Sequence, residues 1–207
     1  MRNGAQTARL AYRLSQPQRL QSGSMRQGIL LIDADQDIID RARKIKLLIL
    51  DCDGVLTDGR IIMLPDSDET KAFDVKDGHG IVMAQRAGLR IAIISGRKSS
   101  VVRARAKELG VAHLYEMAWV KTEPYEKVLA EEGLRDEEVC YVGDDVVDIV
   151  LLRRAGLGVA VADAVEETKQ HSHVVTTCAG GRGAVRELIE FILKAQDKWD
   201  EAMTRYL

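Results

Sequence analysis

The alternation of short apolar runs with helical segments constrains the fold of this chain more than any other feature. Runs rich in Val, Ile and Leu recur between longer segments whose apolar residues have helical spacing. Such alternation is typical of a parallel sheet with helices on both faces. The predicted strands are 45–51, 91–94, 113–115, 138–142, 158–161 and 173–175, and the predicted helices are 35–43, 77–87, 99–109, 123–132, 146–155, 165–169 and 184–198. We therefore predict an α/β fold, a three-layer, doubly wound (Rossmann-like) parallel sheet.

Polar residues follow three of the predicted strands at their carboxyl ends. Asp51 and Asp53 come at the end of the first strand, Ser95 and Gly96 follow the second, and Asp144 follows the strand 138–142. Ligand sites of open parallel sheets lie outside this edge. Residues two apart in a strand share a face, and two adjacent carboxylates repel unless a cation or a shared proton relieves them. The sequence therefore predicts a site with acid chemistry at this edge.

Other residues near these strand ends suit a phosphate group. A small hydroxyl at Ser95 and the backbone N–H groups of the Gly96 turn can bind phosphate oxygens. Lys121 opens the next helical region and offers a point cation. Asp148 follows Asp144 by one helical turn. The chain thus carries the patterns DxD, SGR and GDDxxD in order, with a lysine before the third.

The order of these motifs resembles that of the haloacid-dehalogenase-like phosphatase superfamily. From about residue 45 onward the chain is similar to one of its families, 3-deoxy-D-manno-octulosonate 8-phosphate phosphatase. The segments that carry this resemblance are 51–59, 71–73, 77–78 with Gly80, 95–98, 143–145 and the run GGRGAVRE at 180–187.

The resemblance implies the roles of the central residues. Asp51 would be the nucleophile that becomes an aspartyl phosphate, and Asp53 would protonate the leaving sugar oxygen and then activate water. Mg²⁺ would be bound by the Asp51 carboxylate, the Asp53 backbone carbonyl and Asp144, since it prefers oxygen ligands. Ser95 and Lys121 would hold the phosphoryl oxygens.

The resemblance also implies residues around this centre. The residues expected to support the metal and its ligands from behind are Thr57, Asp145 and Asp148. The residues expected to bind the anionic substrate are Arg60, Lys76, Gly96, Arg97 and Arg182.

The spacing of the motifs leaves no room for a cap domain. Between Asp58 and Ser95 lie 36 residues, enough for a β-hairpin flap (60–64 and 70–73) and one helix. Between Lys121 and Asp144 lie 22 residues, enough for a helix and a strand. The resembled family closes its open site by forming a homotetramer, in which the hairpin packs on neighbours and the C-terminal Gly–Arg segment reaches an adjacent subunit's site.

Three segments depart from the resembled family. Cys52 stands where that family has an apolar residue, and we expect it to be a small buried side chain. The turn 66–69 is acidic, which we expect to disfavour an anionic substrate nearby. Residues 116–120 include Met117 and Trp119, where the family is more polar, and they bear on sugar specificity.

Composition limits the function classes. The 207 residues include 30 Lys+Arg and 32 Asp+Glu, for a net charge of −2, and 4% are aromatic. This balance gives no electrostatic footprint for nucleic acid, and few aromatic residues are available to stack on bases. The three cysteines are widely spaced without a CxxC pair, which favours a reducing cytoplasm. No apolar run approaches the ~18 residues that span a membrane, so we expect no membrane partner.

The first 32 residues contain five arginines and no acidic residue. Such a segment is typical of a flexible tail, of a start codon placed too early or of a transit peptide, and it lacks the apolar core of a secretory signal. We expect 1–32 to be a flexible N-terminal extension and 33–207 to form one domain. Within that domain, we expect the tail 179–207 to contact a neighbouring subunit.

The combined hypothesis is a cytoplasmic, Mg²⁺-dependent sugar-acid phosphatase. It would release inorganic phosphate from 3-deoxy-D-manno-octulosonate 8-phosphate, and the product would serve lipopolysaccharide biosynthesis. One alternative is a 3-deoxy-nonulosonate 9-phosphate phosphatase on the same scaffold. The other is a non-catalytic oligomerisation module of a sugar-acid pathway, which the presence of both Asp51 and Asp53 disfavours.

Overall fold

A seven-stranded parallel sheet forms the centre of the molecule. The structure, a computed structural model, describes residues 29–30, 33–65 and 69–207. The strands of the central sheet have the order β1-β9-β8-β7-β2-β5-β6. The strand bounds are β1 Ile29–Leu30, β2 Leu47–Leu50, β3 Ile62–Met63, β4 Glu69–Thr70, β5 Arg90–Ile94, β6 His113–Tyr115, β7 Val139–Gly143, β8 Leu157–Ala160 and β9 Val174–Val175. The predicted doubly wound parallel sheet is confirmed.

The helices pack on both faces of this sheet. Their bounds are α1 Gln36–Lys44, α2 Val75–Arg86, α3 Ser100–Glu108, α4 Thr122–Glu132, α5 Ile149–Arg154, α6 Glu166–Gln170, α7 Ala184–Ala195 and α8 Trp199–Met203. Most begin and end within two residues of the predicted bounds.

Two of the predicted helices are wrong in extent. The segment predicted at 146–155 begins as a 3-10 turn, Val146–Asp148, before α5. The helix predicted at 184–198 ends at Ala195, and α8 is a separate helix. Asp197 between them adopts a φ of 56°, which an α-helix cannot include.

Alternating side chains of β2 divide the core into two layers. Leu48 and Leu50 lie in the cluster that also contains residues of α1, α2, α3 and α7. Leu47 and Ile49 lie in the cluster that contains residues of α4 and α5. All four side chains are fully buried, as expected of a parallel strand covered on both faces. The sheet therefore lies between two helical layers.

The predicted flap is a short antiparallel hairpin. Strands β3 and β4 pair with Ile62 opposite Thr70 and Met63 opposite Glu69. The residues 66–68 of the predicted acidic turn lie outside the described residues. Within the described part of the chain, only this hairpin and α2 separate β2 from β5, and no cap domain is present.

The amino-terminal boundary differs from the expected position. Ile29–Leu30 form β1 and pair in parallel with β9, so the sheet includes residues before position 33. The remainder of the predicted extension, 1–28 and 31–32, lies outside the described residues. Among the helices that the structure describes, none combines the length and hydropathy that a membrane crossing requires.

Candidate active site

Three neighbouring strands bring the predicted motifs together. β7, β2 and β5 are adjacent, and their carboxyl ends lead directly to Asp144, Asp51 and Ser95. Lys121 lies immediately before α4, and its side chain contacts Asp51 at the carboxyl end of β2. The strand-end prediction of one common site is therefore supported by the topology.

Lys121 joins two carboxylates at the centre of the site. Its Nζ lies 2.8 Å from Asp51 Oδ1 and 2.6 Å from Asp148 Oδ1. The side chain of Lys121 is buried. Burial alone would lower the pKa of Lys121, but the charges of Asp51 and Asp148 outweigh it and raise the pKa. Lys121 is thus a fixed cation between the two acids.

Asp148 is a fully buried support for this arrangement. Its Oδ1 also accepts a hydrogen bond from the hydroxyl of Tyr141 at 2.5 Å. Its Oδ2 accepts hydrogen bonds from the backbone N–H groups of Asp144 and Asp145 at 3.1 and 3.3 Å. Both oxygens therefore hold other groups in place, and the supporting role of Asp148 in the reaction stays a prediction.

Three acidic residues form a cluster that could hold a cation. One carboxylate oxygen from each of Asp51, Asp144 and Asp148 lies within 4.8 Å of the others. Burial raises the pKa of Asp51 to about 6, although Lys121 opposes the shift. Burial, followed by the charges of Asp51 and Asp148, raises the pKa of Asp144 to about 8. This mutual repulsion is what a divalent cation relieves.

The donor set fits Mg²⁺, which prefers carboxylate, carbonyl and water oxygens. Asp51 and Asp144 are the better ligands within the cluster, because the oxygens of Asp148 already accept hydrogen bonds from four groups. These two residues are also the carboxylate ligands expected from the sequence.

Gly54 allows Asp144 to approach the DxD turn. A Cβ on Gly54 would lie 2.1 Å from Asp144 Oδ2, and the backbone at Gly54 has a φ of +94°. Thr57 shapes the same turn, since its Oγ1 accepts from the N–H groups of Gly54 and Gly59 at 3.4 and 3.2 Å. Thr57 thus contacts the backbone of the DxD turn through its hydroxyl oxygen, and its role in supporting the metal ligands stays a prediction.

Asp53 faces two cations rather than the acid cluster. Lys71 Nζ contacts Asp53 Oδ1, and Arg97 Nε lies 3.8 Å from Asp53 Oδ2. Glu69 contacts the same two cations. Burial would raise the pKa of Glu69, but bonds from Ser99 and Arg97 and the charge of Lys71 lower it. At Glu69, the acidity of the predicted turn is therefore offset by neighbouring cations.

The remaining predicted phosphate residues lie at the end of β5. Ser95 is buried, and its Oγ accepts a hydrogen bond from the backbone N–H of Arg97 at 3.2 Å. Gly96 is half-buried between them. Asp145, expected to support the metal ligands, is exposed and accepts from the backbone N–H of Val146 at 2.7 Å, so its observed contact is a cap of the 3-10 turn.

Three exposed basic side chains, Arg60, Lys76 and Arg182, were predicted to bind the substrate, and we call them the rim cations. Arg60 Nε and a guanidinium nitrogen of Arg182 both lie 3.4 Å from Asp58 Oδ2. Lys76 Nζ lies 3.5 Å from Asp74, and Lys76 Cε lies 4.0 Å from the place where a Cβ on Gly183 would be. The structure thus gathers Arg60 and Arg182 at one carboxylate, with Lys76 beside the segment that carries Arg182.

The C-terminal Gly–Arg segment packs on its own chain. The N–H of Gly181 donates to the carbonyl of Val55 at 2.8 Å, and a Cβ on Gly180 would lie 1.7 Å from the carbonyl oxygen of Gly54. Gly180 and Gly181 thus contact the DxD turn of their own chain, and the reach of this segment to an adjacent subunit's site stays a prediction.

No site role was predicted for Lys71, Glu69 or Tyr141, although segment 71–73 carries part of the resemblance and Glu69 lies in the predicted acidic turn. Lys71 and Glu69 belong to or follow the hairpin, and Tyr141 lies within the apolar run of β7. The only signal for Tyr141 was a hydroxyl in an otherwise apolar strand. Cys52 has the predicted character, since its side chain is fully buried.

Comparison with known proteins relates the chain to phosphatases. The haloacid dehalogenase-like hydrolase family matches residues 80–156. The 3-deoxy-D-manno-octulosonate 8-phosphate phosphatase KdsC of Escherichia coli (strain K12) is 46% identical over 166 residues, which cover 80% of this chain and 88% of that protein.

Solved structures give the same result. The crystal structure of 3-deoxy-D-manno-octulosonate 8-phosphate phosphatase from Yersinia pestis has a TM-score of 0.79 and 44% identity, and the match covers 81% of this chain and 90% of that one. The phosphatase of the same name from Moraxella catarrhalis was crystallised with magnesium ion, phosphate ion and KDO. It has a TM-score of 0.82 and 39% identity, and the match covers 84% of this chain and 100% of that one.

Proposed function

This chain belongs to the 3-deoxy-D-manno-octulosonate 8-phosphate phosphatase family of haloacid dehalogenase-like hydrolases, and on that premise we propose how its residues carry out the reaction. The protein is a Mg²⁺-dependent phosphomonoester hydrolase. It converts 3-deoxy-D-manno-octulosonate 8-phosphate to the free sugar acid and inorganic phosphate through an aspartyl phosphate.

Asp51 acts as the nucleophile, and Asp53 acts first as the general acid and then as the general base. In the first step, an Asp51 carboxylate oxygen bonds to phosphorus while the ester P–O bond breaks, and its electron pair stays on the sugar oxygen. That oxygen takes a proton from Asp53. In the second step, water attacks phosphorus, Asp53 takes the proton of the water, and the bond to Asp51 breaks. The observation that carries this assignment is the Asp51 carboxylate held by Lys121 beside Asp144.

Asp51, Asp144 and the backbone carbonyl of Asp53 would hold Mg²⁺. When bound, Mg²⁺ offsets the charge of the transferring phosphoryl group and relieves repulsion among the carboxylates. Asp148 holds Lys121 and the N–H of Asp144 in place from behind, as its four hydrogen bonds support.

The basic residues bind the anionic substrate. Lys121, Ser95 and the backbone at Gly96 hold the phosphoryl oxygens. Arg182 and Arg60 offer two guanidinium groups around a single carboxylate, Asp58, so the pair retains positive charge for the sugar carboxylate. Lys76 and Arg97 complete the rim around the sugar.

We propose a homotetramer that shields the open site. The support is a strip of exposed apolar side chains on the hairpin, Ile61, Ile62, Met63 and Leu64, which are 43–62% exposed. Exposed contiguous apolar residues mark interaction surfaces. Met117 and Trp119 near Lys121, and Val146 and Val147 after the GDD motif, are also exposed and would be covered by neighbouring copies.

We further propose that the enzyme acts in the cytoplasm and that its product enters lipopolysaccharide biosynthesis. The three free cysteines are compatible with a reducing compartment.

Phosphate release from three substrates tests this function. Wild type with Mg²⁺ is compared on the eight-carbon sugar-acid phosphate, the nine-carbon homologue and glucose 6-phosphate. We expect kcat/KM to be highest on the eight-carbon acid. A preference for the nine-carbon acid phosphate would support the 9-phosphate phosphatase alternative. Comparable rates on all three substrates would contradict specificity for a sugar acid. No phosphate release from any of them would favour the non-catalytic oligomerisation module.

A further inference from the structure

Four charged side chains form a closed ring next to the reaction centre. Lys71 Nζ contacts Asp53 Oδ1 and lies 3.6 Å from Glu69 Oε1. Arg97 lies 3.1 Å from Glu69 Oε2 through one terminal nitrogen and 3.8 Å from Asp53 Oδ2 through Nε. Each of the four carboxylate oxygens thus faces one cation, and the charges of the ring cancel.

Lys71 differs from the rim cations in its burial. Its side chain has no exposed surface, whereas Lys76 and Arg182 are 69% and 63% exposed. Lysine is almost never fully buried unless it is paired. The ammonium of Lys71 is therefore occupied by the carboxylates of Asp53 and Glu69, through which we expect it to act.

The two contacts of Asp53 differ in a way that matters for proton transfer. Lys71 anchors Oδ1 by a direct contact, while the Arg97 Nε at 3.8 Å is too far from Oδ2 for a hydrogen bond. Anchoring one oxygen fixes the rotamer of the side chain. Arg97 Nε does not hydrogen-bond Oδ2, so Oδ2 is the oxygen that we assign to the leaving group.

We propose that Lys71 is a positioning residue for Asp53, through which the hairpin sets the orientation of the general acid. The inference rests on the proposed function, in which Asp53 gives its proton to the sugar oxygen as the ester bond breaks. Lys71 follows β4 directly, so the hairpin supplies both Lys71 and Glu69 to the ring. The hairpin is therefore part of the catalytic support as well as a surface for other copies.

Leaving-group dependence distinguishes positioning of an acid from other roles. A sugar alkoxide is a poor leaving group and needs the proton, whereas p-nitrophenolate leaves without one. The experiment measures kcat and KM of wild type, Lys71→Met, Lys71→Arg and the control Lys194→Met on the eight-carbon sugar-acid phosphate and on p-nitrophenyl phosphate. Lys194 is an exposed lysine of α7 that pairs with Glu190.

The proposal predicts a selective loss. Because both esters share the second step, the comparison uses kcat/KM, which reports only the step in which the leaving group departs. Lys71→Met lowers kcat/KM about 100-fold on the sugar ester, with KM nearly unchanged, and less than about fivefold on p-nitrophenyl phosphate. Lys71→Arg restores part of the loss, and Lys194→Met matches wild type on both esters.

Other outcomes overturn the proposal. Equal losses of kcat/KM on both esters would indicate a structural role. A rise in KM alone would indicate substrate binding, and no loss would remove Lys71 from the reaction. If Lys71→Met fails to fold, as judged by urea unfolding, Lys71→Gln is judged by the same criteria. Asp51→Asn is measured alongside: if it retains activity on both esters, the proposed function fails, independently of Lys71.

Discussion

At Gly54, two separate observations require glycine. The backbone has a φ of +94°, and a side chain would collide with Asp144. A positive φ costs a non-glycine residue about 1–3 kcal/mol of stability. The collision would instead displace Asp144, a proposed metal ligand, and so would affect metal binding. The two effects can be separated because Gly88 has a similar φ of +87° with no atom within 4 Å of its Cβ position.

We expect Gly54→Ala and Gly88→Ala to lose similar stability and to differ in metal binding. Both should lose about 1 kcal/mol or more of unfolding free energy from backbone strain. Only Gly54→Ala should weaken Mg²⁺ affinity, by about 10- to 100-fold, because Asp144 must move. Isothermal titration of each variant with Mg²⁺ measures this difference, and equal affinities would contradict the assigned role of Asp144.

The raised pKa values of Asp51 and Asp144 predict how Mg²⁺ binding depends on pH. A carboxyl group with a raised folded-state pKa holds its proton more tightly in the folded protein than in the unfolded one. Without metal, its contribution to stability is present below its ordinary pKa of ~4 and is lost as pH rises through the folded value. For Asp51 and Asp144 those folded values are about 6 and about 8.

Mg²⁺ binds the deprotonated carboxylates, so its affinity should rise between these two pH values. We expect the increase in melting temperature caused by Mg²⁺ to be larger at pH 8 than at pH 6. Asp144→Asn should lose most of this increase at both values. A larger Mg²⁺ effect at the lower pH would show that these carboxyls are not the ligands.

At the residue scale, the sequence predicts the position of a residue best where that residue follows a strand. Asp51, Ser95 and Asp144 are placed by the strand ends themselves, and their convergence follows from the parallel sheet. Lys71 and Glu69 were missed because their position depends on how the hairpin folds back over Asp53. No local pattern encodes that contact between segments 16 or more residues apart.

Among the elements, α2 and α7 are joined by one buried carboxylate. Asp77 lies in the first turn of α2 and accepts hydrogen bonds from the backbone N–H groups of Gly183 and Arg186 at 3.1 and 2.8 Å. It thereby satisfies two N–H groups at the start of α7, which no intrahelical bond can satisfy. Gly181, two residues before Gly183, donates to the carbonyl of Val55, so the segment that Asp77 binds also contacts the DxD turn.

We expect Asp77→Ala to be strongly destabilising. Removing the acceptor leaves two N–H groups without their partner, at a cost of about 2–4 kcal/mol in unfolding free energy. Urea unfolding measures the loss, and Asp35→Ala is the control, since Asp35 caps α1 through a single N–H at 3.1 Å. Asp35→Ala should cost about 1 kcal/mol. If the two variants are equally stable, Asp77 does not join the helices.

Element boundaries were predictable where a residue has a capping signature. Ser99 and Asp35 cap α3 and α1 with their side chains, and Gly133 ends α4 in a left-handed conformation. The break between α7 and α8 was missed, because Asp197 in a left-handed conformation has no glycine to signal it. Apolar periodicity alone continues across that break.

For the whole molecule, the hairpin is the surface that we propose to be covered in a homotetramer. Its apolar strip, Ile61 to Leu64, has four consecutive exposed apolar side chains. Sequence alone located the hairpin but could not show which of its side chains remain exposed, since a two-stranded ribbon has two faces.

A charge on this strip should disrupt assembly. We expect Met63→Asp to shift the protein from a tetramer to smaller species, measured by light scattering after size-exclusion chromatography, because burying an unpaired carboxylate is costly. Lys107→Asp, which places the same charge on the exposed face of α3, should leave the mass unchanged. A tetramer that persists in Met63→Asp would remove the hairpin strip from the interface.

The proposed mechanism requires that Asp51 becomes phosphorylated during turnover. Wild-type enzyme is mixed with Mg²⁺ and the eight-carbon sugar-acid phosphate, quenched in acid and reduced with borohydride, which converts an aspartyl phosphate to homoserine. Peptide mass spectrometry then locates the change. We predict homoserine at position 51 and none in Asp51→Asn, which should also release no phosphate. Homoserine at another aspartate, or phosphate release by Asp51→Asn, would contradict the account.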